Sequence, residues 1–363
     1  MPKKNESHSP LDKKHEVEFC SRDKKYLFLQ NDFLFAFCME NPKSLIAITS
    51  CNRLPEVQKF IWDYLRFVNE HPAFDFVLAL DGTRSDYLEF ADMYDIPMIY
   101  SDEREGVGLS KNRVLSHFPD YDYYFFLDDD IELLNPLLFE QCIVLLSSEN
   151  YHHLCGNHTH TETFSCQLSG FEVSHSLTGG GYFTCYTQQG IQTVGGFHTL
   201  FARYRRYGHS EHSYRFMHSG LQPSPFIFFR EALHALLIHS PESVTPHKEH
   251  AMNQNEWVQE EQDLIQSKTT FFPLQTLSSY HFNHKPLGYN QRVADFLITN
   301  PQKYPLTKGK DRRNALAEYY ALNIPISKGM IKKWKMIFLS CCFAPANNAL
   351  KHYFKKNVFA KHR

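Results

Sequence analysis

The chain has 363 residues, 42% hydrophobic and 15% aromatic, with a formal net charge of -2 at pH 7. That length holds a main catalytic-sized domain with extensions, the apolar share excludes general disorder, and the near-balanced charge provides no global field for nucleic acid. Nine cysteines form an odd set without CxxC spacing, which reads as reduced thiols in a cytoplasmic protein rather than a disulfide framework.

The first residues, "MPKKNESHSPLDKKHEVEF", are polar and lack the apolar core of a signal peptide. Residues 1–40 read as a tail and an apolar lead-in. From 41 a regular pattern begins. "SLIAITS" (44–50) predicts a β-strand ending in polar residues, and "PEVQKFIWDYLRFV" places Val57, Ile61, Tyr64, Leu65 and Val68 on one helical face. "FDFVLALDG" predicts a second strand and "IPMIYSD" a short third one, while "GVGLSKNRVLSHF" opens a helix from a glycine-bearing loop. "YDYYFFLDDD" is the next strand. Strand and helix alternating at this spacing predict parallel βαβ units, an α/β sheet with both faces covered, whose ligands bind beyond the carboxyl ends of the strands. Those ends here are Thr49 to Arg53, Asp81, Ser101 with Asp102, and Asp128 to Asp130.

Farther on, glycines in "SLTGGGYFTCY" predict turns close to a ligand, and "SEHSYRFMHSG" predicts a short helix stopped by Gly220. "LHALLIHS" and "TLSSYHFNH" read as strands. "CGNHTHTETFSC" offers Cys155, His158, His160 and Cys166 to zinc, but the spacing matches no strong zinc pattern and the alternation suits a half-exposed strand equally. Past Glu318 every charged residue is basic. There "ISKGMIKKWKMIFLSCCF" aligns Ile331, Trp334, Ile337 and Phe338 among lysines, which suits an interfacial helix on anionic lipid at the inner face of a membrane. A helix packed on the catalytic domain, or a partner-binding tail, suits it as well. The longest apolar runs are too short to span a bilayer.

Three successive carboxylates at the end of a buried strand repel one another and raise one another's pKa. A helix cap needs only one of them. A divalent cation accounts for all three, and hard oxygen ligands suit Mn2+ or Mg2+. Strand alternation points Asp128 and Asp130 to one side, as the metal pair, and Asp129 to the other.

In this order "LIAITSCNR", "LALDG", "GVGLSKNR", "FFLDDDIEL" and "VGGF…YGHSEHSYR" resemble the family 2 type of GT-A glycosyltransferases. The resemblance spans about residues 44–240. It implies a GT-A (Rossmann-like), mostly parallel sheet in a catalytic domain at 41–250, with a C-terminal extension at 251–325 packing on it and the basic amphipathic tail at 326–363. It implies a nucleotide-sugar donor, expected in the UDP form, and a glycan or lipid-linked acceptor. Thr49, Ser50, Asn52 and Arg53 would lie beneath the uridine and ribose. Asp81 would accept a hydrogen bond from the base, beside Gly82. Lys111, where the family often has Arg, would meet phosphate as a point charge without a bidentate fork. Asp128 and Asp129 would face the donor, with Gly179, Gly180 and Gly181 on the acceptor side. The usual inverting reaction needs a general base, for which Glu211 leads, with His209 and His212 as rivals. A third metal ligand would be His239, or His281 or His284. Two other classes share parts of this pattern. A sugar-nucleotide nucleotidyltransferase would carry glycines after the first strand, where "TSCNRLPE" has none, and a non-catalytic binding module would need no base.

Overall fold

The computed structural model describes residues 42–156, 164–204, 208–230, 232–239 and 268–300. Its first half runs β1 (Ser44–Ser50), α1 (Leu54–Glu70), β2 (Phe74–Leu80), α2 (Ser85–Tyr94), β3 (Met98–Ser101), α3 (Val107–His117), β4 (Tyr123–Asp128), β5 (Ile131–Leu133) and α4 (Leu137–Glu149). The rest runs β6 (His153–Cys155), β7 (Phe164–Leu168), β8 (Phe171–Ser176), β9 (Phe183–Thr187), α5 (Gln188–Val194), α6 (Thr199–Tyr204), α7 (Gly208–His218), β10 (Phe226–Phe229), α8 (Ala232–Ala235), β11 (Leu236–Ile238), β12 (Tyr280–Phe282) and α9 (Gln291–Thr299).

Ten strands form one sheet in the order β12-β3-β2-β1-β4-β9-β6-β10-β8-β7, and β5 pairs with β11 in a separate ribbon. The heart, β3-β2-β1-β4, is parallel, as the βαβ pattern predicts. Antiparallel partners flank it, with β9 beside β4 and β12 beside β3. Every residue of β1 is buried, because helices cover both faces and the strand has no solvent side.

The aromatic run in β4 divides between the two layers. Tyr124 and Phe126 join Leu45, Ala47, Val114 and Tyr186 in the core beneath α3. Phe125 turns the other way and packs on Phe139, ring centroids 5.0 Å apart, and on Phe74 at 6.3 Å. Pleating thus assigns alternate rings to opposite faces.

Helix α1 buries Val57, Ile61, Tyr64, Leu65 and Val68, and also Phe60, Trp62 and Phe67. Trp62 is covered because α9 lies against it, with Phe296 stacked at 4.1 Å. The 268–300 segment therefore adds both a strand to the sheet edge and a helix to α1. The strand expected over "LHALLIHS" begins as the short helix α8, and β-structure starts only at Leu236.

Among the described residues no helix is long and apolar enough to cross a membrane. The tail at 1–40, the basic segment at 326–363, and His158 and His160 of the zinc reading lie outside the described residues.

Candidate active site

Parallel pairing of β1 with β4 sets Thr49 opposite Asp128, so two polar strand ends meet at one rim of the sheet. Thr49 Oγ1 donates to the Leu127 carbonyl at 3.2 Å. Ser50 Oγ donates to Asp129 Oδ2 at 2.6 Å and lies 2.7 Å from the Tyr87 hydroxyl. Asn52 has a left-handed backbone (φ 56), and its Oδ1 accepts from Arg84 at 3.1 Å. The turn delivers Arg53 to the aspartates. Its Nη1 lies 3.1 Å from Asp129 Oδ1 and its Nη2 lies 3.2 Å from Asp130 Oδ2.

Asp130 is thus engaged by Arg53 while still lying close enough to Asp128 to raise its pKa. Strand geometry ends at Asp128, and residues 129–130 form a turn, so alternation no longer governs where Asp130 points. Arg53 gathers Asp129 with Asp130. Asp128 instead stands toward Lys111, which reaches up from the first turns of α3. Lys111 is buried, with its ammonium 5.5 Å from the Phe126 ring and 5.4 Å from the Phe197 ring. Burial pushes its pKa down and Asp128 pulls it back up.

Burial raises Asp128 to about 6, against the pull of Lys111, with Asp130 adding to the rise. Asp129 is raised to about 7 by burial, although Arg53 and Ser50 both favour its charged form. The two nearby cations thus leave the acidic rim short of positive charge.

Asp81 has a post of its own. Its Oδ1 accepts from the Glu105 N–H at 2.7 Å and the Gly106 N–H at 2.9 Å, and Oδ2 also accepts from Gly106 at 2.9 Å. Arg104 and Arg113 stand 3.7 Å away. The carboxylate expected to read a base therefore ties the end of β2 to the loop that starts α3, and so fixes the height at which Lys111 enters. Gly82 follows with φ +95 and Gly106 with φ +104, the left-handed region in which glycine meets no Cβ penalty.

On the acceptor side, Asp128 N–H donates to the Tyr182 carbonyl at 3.0 Å, which brings the Gly179–Gly181 loop beside the aspartates. Gly181 is required there. A Cβ on it would lie 2.7 Å from His209 Cγ. Gly180 is half-buried between the two. His209 Nε2 hydrogen-bonds the Gly179 carbonyl at 3.0 Å, so the ring donates from Nε2 and leaves Nδ1 as the acceptor, facing Gly181. Burial lowers His209 to about 4, opposed by the Gly179 bond and aided by Lys111.

Glu211 stands apart from that loop. Its Oε2 accepts from Arg215 Nη2 at 2.9 Å, and Arg215 also donates to the carbonyls of Val194 (2.5 Å) and Gly196 (2.6 Å). Arg215 Nε and Glu211 Oε1 are 2.8 Å apart but off the donor axis, so neither completes a hydrogen bond there. The expectation of Glu211 as base thus meets a carboxylate already held by an arginine one turn along the same helix. His212 is fully buried, stacked on Phe197 at 4.2 Å with Nε2 on the Gly195 carbonyl, which is the setting of a core histidine.

His239 comes close to the aspartates by its backbone, whose N–H donates to the Asp130 carbonyl at 3.0 Å. Its ring goes elsewhere, with Nε2 2.7 Å from Glu132 Oε2. The β5–β11 ribbon directs this side chain onto Glu132. His281 pairs with Asp102 at 3.1 Å on the edge strand β12, and exposed His284 follows that strand, so neither addresses β4. Cys166 lies 3.7 Å from His175 Nε2, and buried Cys155 donates to the Ile227 carbonyl, so the two cysteines of the zinc reading have separate partners.

Among the described residues no three His, Cys, Asp or Glu side chains form a metal cage. Asp128 and Asp130 nevertheless supply hard, anionic oxygens on an under-neutralised rim. That donor set fits a cation held through one or two carboxylates and completed by phosphate oxygens.

Sequence reasoning missed Tyr87, Glu132 and Arg215. Tyr87 carries no local signal, since it acts across a tertiary contact, whereas Arg215 stands one helical turn past Glu211, a spacing that pairs opposite charges. Glu132 had one, a lone carboxylate between apolar residues of a strand.

No family model matches the chain, and no curated protein matches it. Among solved structures it is similar to a mannosyltransferase of Pyrobaculum calidifontis in complex with GDP-Man and Mn2+, at 10% identity over 89% of this chain and 76% of that one, TM-score 0.39. It is also similar to TarS 1-349 of S. aureus in complex with UDP, at 9% identity over 86% and 91%, TM-score 0.45. A third likeness is to GalNAc-T7 with UDP, GalNAc and Mn2+, at 10% identity over 53% and 43%, TM-score 0.42.

Proposed function

We propose that the chain is a glycosyltransferase that moves one sugar from a nucleoside diphosphate sugar to an acceptor hydroxyl. One observation carries the reading. Parallel register brings the Thr49–Arg53 turn onto three aspartates at the end of β4, with Lys111 rising beside them and a glycine loop opposite. An acidic rim joined to two cations suits a ligand that carries both a diphosphate and a bridging metal.

In this reading Asp128 and Asp130 hold Mn2+ or Mg2+, which when bound supplies charge stabilisation for the departing diphosphate. Lys111 and Arg53 meet the same diphosphate, and Thr49, Ser50 and Asn52 shape the floor beneath the nucleoside. The acceptor hydroxyl enters along Gly179–Gly181, where the small backbone admits a sugar ring. Its oxygen forms the new bond to the anomeric carbon as the bond from that carbon to the diphosphate breaks, and its proton passes to His209 Nδ1. One such displacement inverts the anomeric centre. His209 serves better than Glu211, because burial keeps its ring neutral while Glu211 is engaged by Arg215. An anionic donor beside Lys111 would raise His209 toward a useful basicity. The acceptor is a glycan or a lipid-linked glycan, the latter reached through the basic segment at 326–363.

Calorimetry with UDP and GDP sugars, with and without Mn2+, tests the donor half. Mass spectrometry of a candidate acceptor, with His209→Ala and Glu211→Gln alongside, tests the transfer. Metal-dependent nucleotide binding with product formation supports the reading, and no nucleotide binding in any form overturns it.

A further inference from the structure

Arg53 is a poor place for a cation in every respect but one. It is the cap residue of α1, its side chain makes no cap bond, and the positive end of a helix dipole disfavours a guanidinium. What holds it there is the pair of carboxylates. Nη1 is 3.1 Å from Asp129 and Nη2 is 3.2 Å from Asp130, while Asp129 is fixed independently by Ser50 at 2.6 Å. The two aspartate side chains are 5% and 7% exposed and the arginine side chain is 35% exposed, so the cation sits on the solvent end of the cluster. Its backbone is pinned where the side chain is not. Arg53 N–H donates to the Tyr87 hydroxyl at 2.8 Å, and that hydroxyl is 2.7 Å from Ser50.

A divalent ion that takes Asp130 as a ligand must stand close to the position of this guanidinium, and two cations so close repel strongly. We propose that Arg53 is a built-in counter-cation. It occupies Asp129 and Asp130 in the free protein and leaves Asp130 for the donor's diphosphate when nucleotide and metal arrive together. The inference rests on the glycosyltransferase reading above. Metal alone then binds weakly, since it must displace the guanidinium from Asp130 with no diphosphate present to take the freed Nη2. Metal and nucleoside diphosphate bind cooperatively, since the diphosphate receives that guanidinium in bidentate fashion. Tyr87 and Ser50 keep the turn still while the side chain changes partner.

The test is titration of the full chain with Mn2+, reading free Mn2+ by electron paramagnetic resonance, alone and with UDP or GDP. Wild type, Arg53→Gln and Arg53→Lys are compared after thermal melts show which variants are folded. In the wild type a nucleoside diphosphate tightens Mn2+ binding about tenfold or more. In Arg53→Gln, Mn2+ alone binds about tenfold more tightly than in wild type, and the gain from nucleotide falls toward none. Arg53→Lys lies between, because a single ammonium cannot bridge both carboxylates. Should Arg53→Gln be unfolded, the lysine variant alone decides, by the same direction of change. Unaltered Mn2+ affinity in the folded variants, with wild-type coupling intact, overturns the role of Arg53 and leaves the transferase reading standing. A wild type that binds neither Mn2+ nor nucleotide overturns both.

Discussion

Arg215→Met removes the cation that holds helix α7 against the loop at residues 194–196. In the structure Arg215 is within 2.9 Å of both Glu211 oxygens, and it donates to the carbonyls of Val194 and Gly196 at 2.5 and 2.6 Å. Glu211 is 3% exposed and Arg215 is 1% exposed. Methionine fills comparable space with no donor, so the variant leaves a buried carboxylate without its counter-ion and takes a donor from two carbonyls, of which Val194 keeps the Phe272 N–H at 3.0 Å. Breaking a buried pair from one side costs about 3–5 kcal/mol. Glu211→Gln is milder, about 1–2 kcal/mol, because the cation keeps both carbonyls and the amide oxygen still accepts a bond. The sign with pH follows from Glu211. Burial already raises its pKa and Arg215 lowers it, so losing the arginine raises it further. A carboxyl whose folded pKa exceeds its unfolded value of about 4.3 loses stability as pH rises between the two. The deficit of Arg215→Met is therefore smaller at pH 5 than at pH 8. Urea unfolding of wild type and both variants at the two pH values measures it. Equal deficits at both pH values, or an Arg215→Met no less stable than Glu211→Gln at pH 8, would refute the claim that the ion pair anchors this helix.

Asp81→Ala orphans the N–H groups of Glu105 and Gly106 and costs about 2–4 kcal/mol, whereas Asp81→Asn costs less because its oxygen still accepts; thermal melts rank the two. Lys111→Met leaves stability within about 1 kcal/mol of wild type, since the buried ammonium makes no ion pair among the described residues, but weakens nucleoside diphosphate binding about tenfold or more by calorimetry. His209 is held near 4 in the fold against about 6.5 when unfolded, so its contribution is complete above pH 6.5 and is lost as pH falls toward 4. His209→Gln removes at most about 3 kcal/mol of that slope, read as the difference between variant and wild-type unfolding curves across this range. Asp128 and Asp129, raised to about 6 and about 7, bind cations as carboxylates, so stabilisation by Mn2+ with UDP fades as pH drops through 7 and 6; melting temperatures across pH 5–8 follow it.

The parallel heart was legible because buried strands leave continuous apolar runs and βαβ units leave a regular spacing. "SLIAITS", "FDFVLAL" and "YDYYFFLD" each give a strand where the pattern predicts one. The short strands β5 and β11 were not separable, since three residues carry no period. For the site, residue type announced the acidic rim but not its pairing. Arg53, Asp129 and Asp130 meet only because the chain turns after Asp128. Glu211 and Arg215 are four apart on a helix, so their pairing was available from spacing, yet the burial that makes it decisive was not.

Local chemistry, written in order along the chain, determined the α/β class, the polar strand ends and the concentration of carboxylates at one of them. Only the tertiary structure decided which cation meets which carboxylate, that Asp81 braces a loop, that the ring of His239 faces Glu132, and that His209 lies against Gly181. The reason is physical: a side chain's charge state and partner depend on neighbours brought in from 24 to 107 residues away, and on the burial they create together.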